Sequence, residues 1–237
     1  MASENNKFAI SNLFNVEGWV CVVTGGGTGI GLMIAQAFAN NGAKVYITSR
    51  RREVLERTEK EWRSSFPHLQ GKLIPVVCDI TSKDSIRRLV DEIGKKEDHV
   101  DLLVNNAGSL GSKESETQGK NVEALARDLF DDDPAQWEDI YKTNVIGAYF
   151  VSTAFLPLLH AATKRRHNHT GCIINISSIA GITRHPLDHI KYNASKAAFI
   201  QLSTMLAQIC RSEAVQIRVN NIAPGRFPTA MTGEHAL

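Results

Sequence analysis

Residues 19–31 read Trp-Val-Cys-Val-Val-Thr-Gly-Gly-Gly-Thr-Gly-Ile-Gly, an apolar run that enters a turn with five glycines in seven residues. Apolar residues then recur at Ile30, Ile34, Ala37 and Phe38. The run predicts a buried strand, and the later spacing predicts a helix. Glycines at such a turn let backbone N–H groups approach a phosphate, and a helix N-terminus favours negative charge. The stretch therefore predicts a dinucleotide-binding turn made by Thr24, Gly25, Gly27, Thr28, Gly29, Ile30 and Gly31.

The same alternation continues along the chain. β-branched apolar runs lie at Trp19–Thr24, Ala43–Thr48, Leu73–Cys78, Val100–Asn105, Cys172–Ser177 and Val215–Ile222, with helical spacing between them. These runs are too continuous for strands with one wet face. Strands that alternate with helices predict parallel strands joined by right-handed crossovers. We therefore predict an α/β fold, a Rossmann-type doubly wound parallel sheet in three α/β/α layers, with residues 1–237 as one domain.

Composition excludes several classes of protein. The 237 residues are 43% hydrophobic and 22% charged, which argues against disorder. No uninterrupted apolar stretch approaches the roughly 18 residues of a membrane span, and the N-terminus lacks a signal pattern, so we expect a cytoplasmic protein without a membrane span. The net charge of +2 is too small to indicate nucleic acid as a partner. Because Cys21, Cys78 and Cys172 lie in or beside apolar runs and no CxxC pair occurs, we expect core cysteines and no metal site.

Local signals place several helix ends. Thr81 with Asp84 resembles a capping box, and Asp133 before Pro134 predicts the start of a long helix that continues through Phe150. The polar sequence between residues 109 and 132 predicts a solvated loop with a short helix near Val122–Phe130. The basic tract Lys164-Arg165-Arg166-His167-Asn168-His169 predicts a solvated turn.

The end of the second strand bears on the choice of dinucleotide. An acidic residue there would bind a ribose 2′-hydroxyl, whereas an arginine accommodates a 2′-phosphate. The sequence has Ser49 followed by Arg50-Arg51-Arg52, with no acid until Glu53. The alternative is that the arginines only open the next helix, although cations at a helix N-terminus oppose its dipole. We predict NADP(H), with Ser49 and Arg50 at the 2′-phosphate. Asp79 follows the third strand, where it would cap a turn or accept from the adenine amino group.

A tyrosine and a lysine in the last long helical segment predict acid–base chemistry. Tyr192 and Lys196 are four residues apart and so share a helix face. An ammonium near a phenol lowers the pKa of the phenol, which makes it a proton donor near neutral pH. Such spacing also arises by chance. Here Ile176-Ser177-Ser178 precedes it at the end of an inner strand, where ligands of parallel sheets bind.

At these motifs the chain resembles the classical short-chain dehydrogenases/reductases. The matching pieces follow the family's order: Thr24–Gly31, Cys78-Asp79-Ile80, Asn105-Asn106-Ala107-Gly108, Lys142-Thr143-Asn144-Val145, Ile176-Ser177-Ser178, Tyr192-Asn193-Ala194-Ser195-Lys196 and Pro224-Gly225. More narrowly, residues 220–232 resemble the 3-oxoacyl-carrier-protein reductases of the RhlG type and their fungal relatives.

The resemblance implies a role for each catalytic residue. Tyr192 would be the general acid/base, and Lys196 would lower its pKa and bind the nicotinamide ribose. Ser178 would position the substrate carbonyl, and Asn144 would hold a water that links Lys196 to solvent. The remaining cofactor contacts would come from Asp79, Ile80, Asn105, Ala107, Gly108, Pro224 and Gly225, with Tyr192 and Lys196.

The reaction implied is hydride transfer from NADPH to a ketone, which yields a secondary alcohol. The substrate would be a 3-oxoacyl thioester or a secondary-metabolite carbonyl, and an NADP-linked alcohol dehydrogenase or sugar-type ketoreductase is the alternative. Arg226 would bind an anionic carrier group or would be a surface arginine. The family also implies a homo-oligomer.

Two features depart from the family. The interval from Ser178 to Tyr192 is one residue longer than usual, and an insertion near His185–His189 would absorb the difference. After Gly225 only Arg226–Leu237 remain, so a last strand is expected to be missing and the edge beside Val215–Ile222 to be open. A further alternative follows, a truncated and catalytically weak product that binds nucleotide or pairs with a full-length relative.

Overall fold

The computed structural model describes residues 8–112, 119–165, 169–186 and 189–229. Six parallel strands form one sheet in the order β3-β2-β1-β4-β5-β6. Their bounds are β1 Val20–Thr24, β2 Lys44–Ser49, β3 Lys72–Val77, β4 Leu102–Asn105, β5 Cys172–Ile176 and β6 Arg218–Ile222. The predicted strands and the parallel, doubly wound sheet are confirmed. β6 begins later than predicted because Gln216 adopts a positive φ of 53°, which breaks the extended run.

Helices cover both faces of the sheet. Their bounds are α1 Ile10–Leu13, α2 Gly29–Asn40, α3 Arg52–Ser65, α4 Lys83–Gly94, α5 Val122–Phe130, α6 Pro134–Tyr141, α7 Ala148–Ala161 and α8 Ile190–Cys210. A π-helical turn, Lys142–Gly147, joins α6 to α7, and 3₁₀ turns lie at Ala162–Lys164 and Ile179–Gly181. The short helix predicted near Val122–Phe130 is confirmed.

Two apolar clusters correspond to the two faces of the sheet. On one face, side chains of α4 and α7 such as Leu89 and Phe155 pack against β1 and β4. On the other face, Ala35 of α2 and Leu55 of α3 pack against Val23 and its neighbours. This arrangement is the predicted three-layer α/β/α architecture. All four cysteines are buried and free, as expected of core residues.

The edge strand β6 differs from the inner strands. All residues of β1 and β4 are buried, whereas residues of β6 alternate between exposed and half-buried. Within the described ranges, β6 pairs with β5 alone. β6 is therefore the edge strand of the sheet that the described residues form.

One long helical run is strongly apolar. Among the described residues, the continuous helical run Pro134–Lys164 contains an 18-residue window with a mean hydropathy of 1.6, apolar enough to cross a membrane by length and composition. The structure explains this hydropathy, because Val151, Phe155 and Leu159 of this run are buried in the apolar cluster against the sheet. A buried core helix passes the same test. The run also carries Pro157 in its interior.

The helix caps confirm one local prediction and correct another. Asp133 caps α6 by accepting from the N–H of Ala135, with Pro134 in the first turn, as predicted. The cap of α4 is Ser82 rather than Thr81, since the Ser82 hydroxyl accepts from the N–H of Ser85. Thr81 instead binds Asp79, which leaves the next residue free to cap the helix.

The basic tract is not simply a solvated turn. His169 is only 12% exposed, and its Nε2 lies 3.1 Å from Oδ1 of the fully buried Asp101. Arg165 pairs with Asp98 at 3.1 Å. The physical reason is the Asp101 carboxylate, which also accepts from the N–H of Val20 and needs polar partners because it is buried. Residues 166–168 of the tract lie outside the described residues.

Candidate active site

A cleft of about 340 Å³ lies at the carboxyl ends of the central strands. It is lined by thirteen of the residues predicted from the sequence: Gly25, Gly27, Thr28, Gly29, Ile30, Ser49, Arg50, Asp79, Ile80, Ala107, Gly108, Tyr192 and Lys196. The glycine turn and the Tyr–Lys pair are far apart in the chain, and the parallel sheet brings them to one cleft. This is the place where doubly wound sheets bind ligands.

The lining also contains residues that the sequence analysis did not name as site residues. These are Thr48, Arg51, Val54, Cys78, Thr81, Asn106, Thr143, Ile176, Ser177 and Thr229. Some of them, such as Asn106 and Thr143, lie inside motifs already quoted, and that position was the available signal. Arg51 lies in the arginine run quoted for the 2′-phosphate. Thr48 and Val54 had no signal of their own, since only the register of β2 and the start of α3 place them at the cleft.

The glycine turn has the geometry that a pyrophosphate site requires. Gly25 and Gly29 adopt positive φ angles of 65° and 56°, which residues with a side chain rarely adopt. Gly31 allows close packing, because a Cβ there would lie 2.3 Å from the Gly25 carbonyl oxygen. Thr28 precedes α2 without a side-chain cap, so the first-turn N–H groups are available to an anion. The turn therefore fits a dinucleotide phosphate.

Thr24 supports this turn from beneath and does not line the cleft. Its hydroxyl donates to the carbonyl of Val104 at 3.3 Å and accepts from the N–H groups of Asn106 and Ala107. The Asn106 amide in turn donates to the carbonyls of Thr24 and Gly25. These bonds join the ends of β1 and β4 and hold the turn beside the Asn106–Gly108 segment.

Asn105 lies below the cleft rather than at its surface. Its side chain is buried, and its amide donates to Ser152 at 2.8 Å and to Asn175 at 2.9 Å. Asn175 then donates to Ser203 of α8. The structure thus gives Asn105 the sheet-steadying part of its expected role, while its neighbour Asn106 takes the position at the lining.

The end of β2 presents cations to the cleft. Arg50 and Arg51 are exposed and line it, whereas Arg52 opens α3 and pairs with Glu56 at 3.5 Å. The alternative that the arginines only open the helix therefore applies to Arg52. The Ser49 hydroxyl accepts from the N–H of Arg51 at 3.2 Å. This corner combines a hydroxyl with two guanidinium groups, the donor set that a phosphate requires.

Asp79 lines the same part of the cleft as Ser49, Arg50 and Arg51. Its Oδ1 accepts from the N–H and the hydroxyl of Thr81, at 2.9 and 2.8 Å. Burial acts to raise the pKa of Asp79, but the bonds from Thr81 and the charges of Arg50 and Lys142 outweigh it and lower the pKa. Asp79 is therefore an ionised acceptor that caps its own turn while it lines the cleft.

The Tyr192 phenol and the Lys196 ammonium lie near each other at the other end of the cleft. Lys196 is buried, and its Nζ lies 5.7 Å from the centroid of the Tyr192 ring. Burial raises the pKa of Tyr192, and a side-chain hydrogen bond with Ser178 partly offsets the rise. Burial also lowers the pKa of Lys196 to about 8.

The expected lowering of the Tyr192 pKa is therefore wrong for the chain as it stands. Lys196 donates to the main-chain oxygen of Ile176 at 3.0 Å rather than to the phenol. It therefore makes no hydrogen bond that would offset the effect of burial on the Tyr192 pKa. Ser178, in contrast, reaches Tyr192 as predicted, because it ends the segment after β5 and begins the 3₁₀ turn Ile179–Gly181.

Asn144 occupies a π-helical turn in what the sequence predicts to be one regular helix. It is 1% exposed, and its side chain accepts from the N–H of Ser109 and donates to the carbonyl of Ser109 and to the Ser195 hydroxyl. The extra residue of the π turn interrupts the regular helix beside these bonds. Gly108 makes room here, since a Cβ at that position would lie 3.2 Å from Asn144 Oδ1 and 3.6 Å from Lys196 Nζ.

The segment after β6 approaches the cleft. The carbonyl of Pro224 accepts from the N–H of Ile179 at 2.9 Å, which ties this segment to the Ser178 turn. Pro224 and Gly225 do not line the cleft, but Thr229 does, and it packs against Gly29. Arg226 is exposed. Residues 230–232 of the segment that carries the narrower resemblance lie outside the described residues.

The described residues contain no group of three or more His, Cys, Asp or Glu side chains with the geometry of a metal site. The polar groups assembled at the cleft are a phenol, a hydroxyl, an ammonium and a set of phosphate-compatible donors. Such groups suit acid–base chemistry on a ligand held beside a dinucleotide.

Comparison with known proteins agrees with this arrangement. The family model described as short chain dehydrogenase matches residues 19–236. The chain is 41% identical over 229 residues to the short-chain dehydrogenase/reductase PhomF of Diaporthe leptostromiformis, a match that covers 94% of this chain and 74% of PhomF. It is 34% identical over 219 residues to the rhamnolipids biosynthesis 3-oxoacyl-[acyl-carrier-protein] reductase of Pseudomonas aeruginosa, which covers 92% and 77%.

A solved structure, the Pseudomonas aeruginosa RhlG/NADP active-site complex, is similar to this chain with a TM-score of 0.77 and 33% identity. The match covers 92% of this chain and 77% of that one. The resemblance to 3-oxoacyl-carrier-protein reductases and to fungal relatives is thereby confirmed. By its sequence, its sheet and its cleft, the chain belongs to the short-chain dehydrogenase/reductase family of oxidoreductases.

Proposed function

We propose that this protein is an NADPH-dependent ketoreductase that converts a ketone to a secondary alcohol. The observation that carries the proposal is the convergence, in one cleft, of the glycine turn, the guanidinium of Arg50 and the Tyr192–Lys196 pair. The two halves of the site complement each other, because the acid–base pair needs a redox group and a bound dinucleotide would supply one.

The chain's own groups perform the proton chemistry. Tyr192 donates its phenolic proton to the carbonyl oxygen as that oxygen becomes an alkoxide, and Ser178 donates a hydrogen bond to the same oxygen. When bound, the nicotinamide supplies a hydride to the carbonyl carbon. Because burial raises the pKa of Tyr192, the phenol carries its proton at neutral pH. A protonated phenol is the state in which Tyr192 acts as the acid in reduction.

Lys196 supports this transfer from behind the tyrosine. With a pKa lowered to about 8, its ammonium remains largely charged at neutral pH although it is buried. The positive charge favours the phenolate that forms when Tyr192 gives up its proton. In our proposal Lys196 also binds the nicotinamide ribose, and Asn144 takes part in the proton relay to solvent.

The preference for NADPH is proposed from the end of β2. Ser49, Arg50 and Arg51 offer donors there, and the first acidic residue is Glu53, inside α3. A guanidinium beside a 2′-phosphate forms a charge-assisted pair, whereas the 2′-hydroxyl of NADH offers no charge to pair with.

The substrate class is proposed from the relatives and from exposed apolar residues that follow Ser178 and Pro224-Gly225 in the chain. The relatives include a 3-oxoacyl-carrier-protein reductase and short-chain dehydrogenases of fungi. Ile179 and Ile182 follow Ser178 and are 46% and 64% exposed, and Phe227 is 42% exposed. These apolar side chains favour a 3-oxoacyl thioester or an apolar secondary-metabolite ketone over a sugar.

The test is a fluorescence titration of the purified chain with NADPH and with NADH, followed by turnover. We expect much tighter binding of NADPH and NADPH oxidation with acetoacetyl-coenzyme A or an aromatic ketone in excess over a ketose. Preferred turnover of the ketose would favour the sugar-type alternative. A folded chain that binds neither nucleotide would contradict the proposal and favour the catalytically weak alternative.

We also infer a homo-oligomer in the cytoplasm. Large apolar side chains are exposed on two helical runs, Ile146 and Tyr149 on one and Met205 and Ile209 on α8. Exposed apolar groups of this kind mark association surfaces. Light scattering of the purified chain would measure a mass of twice or four times the 26.1 kDa of one chain, and a monomer would contradict the inference.

A further inference from the structure

An ion pair between a buried lysine and a partly exposed aspartate lies directly beside the residue proposed as general acid. Lys191 precedes Tyr192 in the first turn of α8 and is 1% exposed. Its Nζ lies 2.8 and 2.9 Å from the two carboxylate oxygens of Asp132. Asp132 also accepts from the indole Nε1 of Trp137 at 2.8 Å and from the N–H of Asp133 at 3.1 Å. Both carboxylate oxygens are therefore bound twice.

The charge of Lys191 does not stabilise α8 through the helix dipole. A cation in the first turn opposes the helix dipole, and α8 has no acidic residue in its first turn. His189 precedes α8 without a side-chain cap. The start of α8 is held instead by contacts to other parts of the chain, the Lys191–Asp132 pair and the bond from Asn193 to the carbonyl of Pro186.

The pair joins α8 to the helical run that begins with α6, and both carry residues of the proposed site. Asp132 lies just before α6, whose run continues into the π turn that carries Asn144. One turn further along α8, Ser195 accepts from Asn144 at 3.0 Å. Tyr192 thus lies between two cross-links from α8 to the same helical run. The Asp132 link lies at the N-terminal end of α8, where the helix would otherwise fray.

We propose that Lys191 and Asp132 are positioning residues, whose ion pair holds the first turn of α8 so that the Tyr192 hydroxyl stays beside Ser178. The pair is a weak source of stability, because desolvation of the buried ammonium offsets its attraction to the partly exposed carboxylate. Its geometry is specific, however, since one ammonium must meet one carboxylate. The inference rests on the proposed function for its kinetic consequence, but not for its structural one.

The test combines kinetics with the titration of Tyr192. Lys191→Met removes the charge and keeps the length of the side chain. The double variant Lys191→Met/Asp132→Asn leaves no unpaired carboxylate beside α8 and keeps an acceptor for Trp137. Lys191→Arg retains the charge. Lys44→Met is the matched control, because Lys44 pairs with the buried Glu97 at 2.7 Å at the opposite end of the sheet.

Labelling with [4-¹³C]tyrosine gives one NMR signal for each of the four tyrosines, and Tyr192→Phe assigns that of Tyr192. We expect the single and double variants at Lys191 to lower kcat about tenfold or more, since small displacements of a reacting group have such costs. The NADPH Kd should stay within about twofold. The Tyr192 signal should titrate closer to the ordinary tyrosine pKa of about 10, because a loosened first turn admits water. Lys191→Arg should restore most of kcat, and Lys44→Met should leave kcat and the Tyr192 signal unchanged.

A double variant with wild-type kcat and a wild-type Tyr192 titration would overturn the inference, whatever its melting temperature. The double variant decides the question if Lys191→Met does not fold. If the wild-type chain reduces no ketone, the proposed function fails, and the Tyr192 titration alone then decides whether the pair positions the phenol.

Discussion

The Nζ of Lys196 donates a 3.0 Å hydrogen bond to the main-chain oxygen of Ile176, the last residue of β5. The bond joins the middle of α8 to the carboxyl end of an inner strand. It holds the ammonium under the Tyr192 ring, 5.7 Å from the centroid, without a direct bond to the phenol. The buried ammonium has one carbonyl partner in place of bulk water, which is why its pKa falls to about 8.

Replacement of Lys196 by methionine should stabilise the free protein at pH 7 while it abolishes turnover. The folded-state pKa of about 8 lies below the ordinary 10.5, so the unfolded chain binds one more proton between these values. The stability of the wild-type protein therefore rises with pH across this window. We expect Lys196→Met to gain about 1–3 kcal/mol at pH 7, after the lost bond to Ile176, and to lose this advantage by pH 10.5. Chemical denaturation at pH 7, 9 and 10.5 measures it, and a less stable variant at pH 7 would contradict it.

Tyr192→Phe should remove the proton donor and leave the nucleotide site intact. We expect turnover to fall by roughly 10²–10⁴-fold, the range that general acid catalysis contributes. The NADPH Kd should change by less than about twofold, since the ring and its packing remain. Tyr149→Phe is the matched control, because Tyr149 is 38% exposed on α7 and does not line the cleft. Turnover of Tyr192→Phe near that of the control would rule out the proposed mechanism.

Arg50→Ala should weaken NADPH binding without an effect on NADH. Loss of a charge-assisted bond to the 2′-phosphate costs about 1.5–3 kcal/mol, or roughly 10–150-fold in Kd. The matched control is Arg52→Ala, since Arg52 is exposed and pairs with Glu56 instead. Nucleotide titrations of both variants supply the comparison. Equal losses for NADPH and NADH would show that Arg50 does not read the 2′-phosphate.

Asn105→Ala should lower the free energy of unfolding rather than nucleotide affinity. The substitution removes two buried hydrogen bonds and leaves Asn175 without the donor it now has. We expect a loss of about 2 kcal/mol in denaturant unfolding and an NADPH Kd within about threefold of wild type. Asn41→Ala, at an exposed amide that binds only the carbonyl of Ala37, should change stability little. A large loss of NADPH affinity with an unchanged free energy of unfolding would instead indicate that Asn105 contacts the cofactor.

Gly31→Ala and Gly94→Ala should have opposite effects on the stability of the protein. A Cβ at Gly31 would lie 2.3 Å from both the Gly25 oxygen and the Asn106 amide nitrogen, so the turn must move. We expect about 3 kcal/mol of destabilisation and a loss of nucleotide binding. At Gly94, which ends α4, a Cβ meets nothing within 4 Å, and alanine should stabilise the protein by about 0.5 kcal/mol. Thermal unfolding of the two variants tests both, and a tolerated Gly31→Ala would contradict the close packing.

Much of the fold follows from local pattern. Continuous apolar runs between amphipathic segments predict a covered parallel sheet, because a strand buried on both faces cannot alternate with polar residues. The glycine turn and the Tyr192–Lys196 spacing could also be predicted, because each depends on residues that are close together in the chain. Asp133 with Pro134 likewise predicted the start of α6, because a helix cap depends on its own neighbours.

Other features depended on contacts between distant segments. Burial in the folded chain reversed the expected direction of the Tyr192 pKa, and the bonds from Asn144 to Ser109 and Ser195 accompany a π turn in a sequence that reads as one helix. His169 is largely buried because it lies beside the buried carboxylate of Asp101. Thus the sequence alone determined the alternation of strands and helices and the residue types that act. Only the tertiary structure decided their charges and partners, because desolvation and long-range hydrogen bonds exist only once the strands and helices have packed.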